Sequence, residues 1–204
     1  ACKQPHRIGH EGSVKAQFTH DADSLKITLP SPAAKGALRS VAVYYSAPYT
    51  GSAIVAREVP NVALNVTTIT IASQAEPYDA RNWWPCKDDP ANKADSVDLL
   101  CTTDSSLTCI SNGTLLSDTR TPGGLRTMHW RESYPIVTYL VSVAISNYAS
   151  TSTTFTHGGK TMPVSSWWYS MTAAKMQPNV DDMPAGLKIY SDLFGPYPFI
   201  NEKY

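Results

Sequence analysis

The amino-acid sequence predicts a mainly β fold: a saddle-like antiparallel β sandwich or curved sheet, followed by a short helical segment. Three observations predict it. From Val14 to Tyr169, short alternating or apolar runs are separated by turn residues. No helical periodicity intervenes between those runs, which disfavours a parallel α/β arrangement. Thr, Ser, Tyr and Val are abundant beside 15 Pro, a composition suited to strands and turns.

The elements are expected in the following order. Val14 to Thr19 and Leu25 to Leu29 flank Asp21-Ala22-Asp23-Ser24, a hairpin signature. Further strands are expected over Val41 to Ser46, Val66 to Ala72, Val97 to Thr102, Leu107 to Ser111 and Leu125 to Glu132. Ile136 to Ile145 is strongly apolar and is read as one buried strand. Gly158-Gly159 joins a last pair, whose second member runs from Met162 to Tyr169. After Tyr169, Met183, Leu187, Tyr190 and Phe194 recur at helical spacing. Asp181 and Asp182 suit the positive amino end of such a helix, Pro184 fits a first turn, and Gly195-Pro196 supplies cap and stop. Residues 1–169 are therefore expected to form a β domain, with residues 170–204 beginning a second.

Composition excludes several functions. The 17 basic and 17 acidic residues cancel, and no extended Lys/Arg run occurs, so nucleic acid is not expected as a partner. The Ile136 to Ile145 run is about half the roughly 20 residues a membrane helix needs, so no span is expected. Abundant Pro, Thr and Ser lean towards a secreted, periplasmic or cell-surface setting, with a cytoplasmic one as the alternative. The four cysteines, Cys2, Cys86, Cys101 and Cys109, lack zinc-ribbon or Cys-x-x-Cys spacing. If any bridge forms, Cys101 to Cys109 is favoured, because the two sit where opposite sides of a hairpin would lie; unbridged thiols are the alternative. Asn65-Val66-Thr67 and Asn112-Gly113-Thr114 are glycosylation sequons.

Polar, aromatic and Pro residues crowd together without strand or helix period from Ser73 to Ala94, in the run SQAEPYDARNWWPCKDDPANKA. Such a loop points to a site. It carries Gln74, Glu76-Pro77, Asp79-Ala80-Arg81, Pro85-Cys86, Asp88-Asp89-Pro90 and Lys93-Ala94. Ser111-Asn112-Gly113, the Pro135 to Tyr148 run, and Phe194-Gly195-Pro196-Tyr197-Pro198-Phe199 with Glu202-Lys203-Tyr204 follow in order. In these motifs the chain resembles the aminopeptidase N family of gluzincin zinc metallopeptidases over roughly residues 20 to 204. The one departure is Asp88-Asp89, where the family usually has Asp-Glu.

The resemblance implies a saddle-like β domain forming one wall of the active-site cleft of a following thermolysin-like domain. It implies that Glu76 helps hold the free α-amino group of a peptide substrate and that Gln74 lines the same pocket. A carboxylate suits that role, because it grips an ammonium by a charge-assisted hydrogen bond and so measures the distance to the scissile bond. In the related leukotriene hydrolases Gln takes the position of Glu76, and a bifunctional relative of that kind is an alternative. Asp79, Arg81 and Asp88, with Asp89, are expected to shape the site as an ion-pair cluster. Trp83, Trp84, Trp167 and Trp168 are read as core anchors, and Cys86, with no His nearby in sequence, is not expected to be a nucleophile.

No His-Glu-x-x-His occurs. His10-Glu11 begins that pattern, but its second His would fall at Val14. Pro5 and Gly9 argue against a helix at His6 and His10, which are read as an exposed turn. His20, His129 and His157 are isolated in strand or turn contexts and are expected to be satisfied or solvated. Zinc is therefore expected in a downstream catalytic domain rather than here, and this segment by itself is expected to be inactive, with its first strands and its metal motif outside the sequence. A self-contained β module that uses exposed Trp and Tyr to bind carbohydrate or protein is the competing reading.

Overall fold

The computed structural model describes residues 7–10, 15–21, 24–46, 53–61, 66–169 and 173–204. The first strands are β1 (Arg7–His10), β2 (Gln17–His20), β3 (Leu25–Thr28) and β4 (Val41–Tyr44). β2 and β3 form the expected antiparallel hairpin, with Asp21 and Ser24 joined by Asp21 N–H to Ser24 C=O at 3.0 Å. His10 lies in a strand paired antiparallel with β4, not in an exposed turn; non-local pairing overrides the local Pro and Gly signals. His6 lies outside the described residues.

A four-stranded antiparallel sheet follows, built from β5 (Ile54–Asn61), β6 (Val66–Ser73), β8 (Thr108–Ser111) and β11 (Val143–Ser146) in the order β5-β6-β11-β8. β5 is not among the strands expected from sequence. Arg57, Glu58 and Pro60 interrupt its alternation, and Pro60 is tolerated because β5 is an edge strand. A three-stranded sheet runs in the order β7-β10-β9, from β7 (Val97–Asp104), β9 (Thr114–Arg120) and β10 (Leu125–Glu132). β9 is exposed along nearly its whole length, so it carries no alternating signal.

The chain changes sheet twice here, between β7 and β8 and again between β8 and β9. Cys101 on β7 and Cys109 on β8 are consequently not sides of one hairpin, and both are unbridged thiols. They meet inside the layer between the two sheets, where Cys109, Met128, Trp130 and Val143 form a buried cluster with Leu99, Cys101 and Trp167 against it. The Cys109 thiol is pushed far up by its hydrogen bond with Cys101 and by burial.

Ile136 to Ile145 is not a single strand. Ile136 makes one bridge to Ala94, Thr138–Leu140 form a 3-10 turn, and pairing resumes at β11. The physical reason lies in the buried positions Ile136, Thr138, Val141, Val143 and Ser146. Their spacing departs from the strict period of two that a continuous strand imposes, and the turn restores the phase.

β12 (Tyr148–His157) and β13 (Lys160–Tyr169) form a long ribbon closed by Gly158-Gly159, as expected. The helix α1 (Ala173–Phe194) starts earlier than its acidic pair suggests, so Asp181, Asp182 and Pro184 lie inside it rather than in a first turn. Gly195 ends it in the left-handed region at φ 94°, its N–H on the Ser191 carbonyl at 3.1 Å. The helix buries Val180, Leu187 and Ser191, and Leu187 shares a core with Phe155, Met162, Val164 and Ile200. Tyr190 and Phe194 do not join that face; they stack on each other, centroids 6.0 Å apart, and are exposed. No helix among the described residues is long and apolar enough to cross a membrane.

Candidate functional site

The loop after β6 is held from beneath by small residues. Gln74 donates its N–H to the Ala53 carbonyl at 2.8 Å, and Ala53, Ala75 and Ala80 pack into a buried cluster flanked by Trp83, Trp84, Cys86 and Tyr139. Large indoles over alanines hold the backbone down while the alternate side chains point outward. Gln74 and Glu76 are both exposed, and the Glu76–Pro77 peptide is cis.

Both face a cavity of about 600 Å³. Its other walls are the Asn112-Gly113 turn, the segment from Glu132 to Ser142, Lys93, and Tyr197, Phe199, Glu202 and Lys203 from the segment after α1. Polar side chains clamp these walls together. The Asn112 Oδ1 accepts the Ser142 N–H at 2.7 Å, Ser111 Oγ donates to the Ser142 carbonyl at 2.7 Å, and Val143 N–H donates to Ser73 Oγ at 2.9 Å. Among the described residues, Glu76 forms no ion pair, so its carboxylate is available to a ligand cation.

Asp79, Arg81 and Asp88 lie outside the cavity wall. Asp79 accepts a 2.6 Å bond from Asn82 Nδ2, and Arg81 Nε stands 3.7 Å from Asp88 Oδ2, a carboxylate whose side chain is only 6% exposed. Asp89 caps a turn by accepting the Ala91 N–H at 2.9 Å. The structure thus brings Gln74 and Glu76 to one cavity wall with Lys93 of the same loop, and leaves Asp79, Arg81 and Asp88 outside it.

Glu132, Glu202 and Lys203 are not among the site residues that the sequence singles out: Glu132 only ends a strand pattern, and Glu202-Lys203 only belongs to a motif. Here Glu132 and Glu202 are buried, and Lys203 donates to the Ser111 carbonyl at 2.8 Å while lying 4.8 Å from the centroid of the Trp130 ring. Burial raises the Glu132 carboxyl above the ordinary carboxylate range, with the Tyr134 N–H opposing and Glu202 adding to the rise. Burial lowers the Lys203 ammonium, against the pull of the two carboxyls.

Among the described residues the histidines are held apart by separate partners. His129 Nε2 is 2.7 Å from Asp98, and His157 Nε2 is 3.5 Å from Asp192. Among the described residues no group of three or more His, Cys, Asp or Glu could hold a metal ion.

The Peptidase M1 N-terminal domain matches residues 5–140. No curated protein matches the chain. Solved structures of an M1 zinc metallopeptidase from Deinococcus radiodurans are similar in fold at 20% identity and a TM-score of 0.77, covering 98% of this chain and 45% of theirs. One of them is a substituted form bound to a Tyr-Ser-Ala substrate, with the same scores; another, bound to L-tryptophan, matches at a TM-score of 0.74. The chain therefore spans less than half the length of those enzymes. Its fold, its antiparallel layers and the match over most of its residues agree: the chain belongs to the M1 peptidase family and carries that family's N-terminal domain.

Proposed function

We propose that the chain is the N-terminal portion of a zinc aminopeptidase that removes residues from the free amino end of peptides, and that it supplies the wall recognising the substrate's ammonium. One observation carries this reading: Glu76 is exposed on the wall of a cavity of about 600 Å³, beside Gln74 and outside any ion pair among the described residues. A carboxylate in a partly dry recess contributes about 1.5–3 kcal/mol to holding an ammonium. Gln74 orients the amine with a neutral amide, and Asp79, Arg81 and Asp88 brace the loop from outside. Zinc belongs, in this reading, to a downstream catalytic domain, of which residues 170–204 are the beginning. The exposed Ile189, Tyr190, Leu193 and Phe194 would face that domain. An exported setting is proposed on composition.

The competing adhesion reading rests on exposed aromatic rings: Trp130 and Trp168 are buried and Trp83, Trp84 and Trp167 are half-buried against core clusters, which leaves Tyr44, Tyr78 and Tyr190 as its support. The test uses the uninterrupted enzyme, catalytic domain included, with an aminoacyl substrate and its N-acetyl counterpart. Glu76→Ala is expected to lower kcat/KM on the free amine about 10- to 100-fold and to erase discrimination against the acetylated form. Unchanged activity on the free amine overturns the proposed role.

A further inference from the structure

Glu132, at the end of β10, and Glu202, after α1, are 8% and 6% exposed. They come from distant parts of the chain yet accept neighbouring backbone amides. Glu202 Oε1 accepts the Ser133 N–H at 2.7 Å, and Glu132 Oε1 accepts the Tyr134 N–H at 3.0 Å. Each carboxyl thereby spends one oxygen on one of two consecutive backbone amides and keeps the other for a further partner. Two carboxylates have no hydrogen to share, so a bond between them requires a proton on one of them.

Lys203 and Tyr197, from the segment after α1, face the pair, and Glu76, Lys93 and Tyr139 line the same cavity; β8 contributes the Ser111 carbonyl, bonded to Lys203. One ionised carboxyl and one ammonium sum to zero, the balance a water-poor site tolerates. The same segment is fastened by neutral bonds as well. Asn201 Nδ2 donates to the Tyr134 hydroxyl at 2.6 Å, and Tyr204 pairs through its backbone with Pro163 and Ser165 on β13.

We propose that protonated Glu132 donates a hydrogen bond to the Glu202 carboxylate and that this pair, with Lys203, is a latch clamping the segment Gly195–Tyr204 onto the β domain. The latch makes Glu132 and Glu202 positioning residues: it places Tyr197, Phe199 and Lys203 in the wall of the Glu76 cavity. Its sense follows from the raised Glu132 carboxyl. A raised acid contributes stability that is full below the ordinary carboxylate range and lost as pH climbs through its folded value, because two buried like charges then face each other. Lys203, lowered by burial, acts in the opposite sense at more alkaline pH. The consequence for a ligand rests on the reading that Glu76 anchors an amine; the latch itself does not.

The test follows the side-chain carboxyl carbons of this chain by NMR as pH is varied, with signals assigned through Glu132→Gln and Glu202→Gln. Glu132 is expected to titrate above the ordinary value of about 4.3. In Glu132→Gln the new amide accepts the Tyr134 N–H and donates to Glu202, keeping the bridge with no proton to lose. The thermal midpoint of Glu132→Gln is therefore expected to gain on wild type by several degrees as pH rises above the ordinary carboxylate range. Glu132→Leu can neither accept nor donate, and amide exchange at Asn201 to Tyr204 is expected to accelerate about tenfold or more at every pH. With L-leucinamide as probe, Glu132→Leu is expected to weaken binding about threefold or more and Glu76→Gln more strongly still. Ordinary titration of Glu132, or parallel pH profiles for wild type and Glu132→Gln, overturns the latch. If Glu76→Gln leaves L-leucinamide binding unchanged, the amine reading fails while the latch still stands or falls on its titration.

Discussion

Trp130 on β10 donates its indole N–H to the Cys109 carbonyl on β8 at 2.9 Å, a hydrogen bond that passes from the three-stranded sheet to the four-stranded one. Both residues are buried, so the carbonyl has no water to turn to if the donor is removed. Trp130→Phe keeps most of the ring and deletes only the donor. It is expected to cost about 1–3 kcal/mol in urea unfolding, whereas Trp130→Ala, which also empties the core, is expected to cost about 3–5 kcal/mol. A Phe variant as stable as wild type would show that the interlayer bond contributes nothing.

Gly113 and Gly124 both sit in the left-handed region, at φ 73° and 76°, but their surroundings differ. A Cβ on Gly113 would be driven into the backbone carbonyl of Arg131, while one on Gly124 meets nothing within 4 Å. Gly124→Ala is expected to cost only the conformational strain, about 1–2 kcal/mol. Gly113→Ala adds a backbone clash at the cavity wall, and a loss above about 3 kcal/mol is expected. Thermal unfolding of the two variants side by side separates strain from collision.

Arg126 grips Asp118 with two hydrogen bonds, Nε to Oδ1 at 2.7 Å and Nη2 to Oδ2 at 2.6 Å. Those bonds hold the Asp118 carboxyl below its ordinary range, with burial opposing and the Arg126 and Arg120 charges adding. A depressed carboxyl contributes stability that is full above the ordinary value of roughly 3.9 and is lost as pH falls through its folded value. The pair is partly solvated, so Asp118→Asn is expected to cost about 0.5–1 kcal/mol at neutral pH. The difference from wild type should close as pH falls below the ordinary carboxylate range. A constant offset across that range would place the effect in packing rather than charge.

On α1, Leu187 is 8% exposed and Leu193 is 69% exposed, so one helix offers its own control. Leu187→Ala opens a cavity in the core shared with β12, β13 and Ile200, at an expected cost of about 2–5 kcal/mol. Leu193→Ala is expected to stay within about 0.5 kcal/mol. Equal losses in denaturant midpoint would mean that the outer face is covered in solution.

Hairpins with strong turn chemistry were legible from residues alone. Asp21 to Ser24 and Gly158-Gly159 mark their turns because these residues accept backbone conformations that others resist. β5 and β9 were not legible. Strand pairing is a non-local contact, and an edge strand with both faces partly wet leaves no periodic trace. The Ile136 to Ile145 run shows the converse: apolar residues mark burial, yet a 3-10 turn inside the run changes which of them point inward. Helix α1 shows a third limit, since it starts well before the acidic residues that local charge rules would place at its start.

Gln74 and Glu76 stood out by residue type and crowding within one loop, and their family resemblance is carried by short local motifs. What the order of residues determined by itself is thus local: the β character, the sharp turns, the helix stop at Gly195 and the identity of that loop. The tertiary structure decided everything that depends on distant residues meeting. It placed Cys101 and Cys109 across a layer, and it buried Glu132 and Glu202 against one another from distant parts of the chain. The reason is physical: a side chain's charge state and partners depend on its dielectric surroundings and neighbours, and those are set by chain closure rather than by sequence proximity.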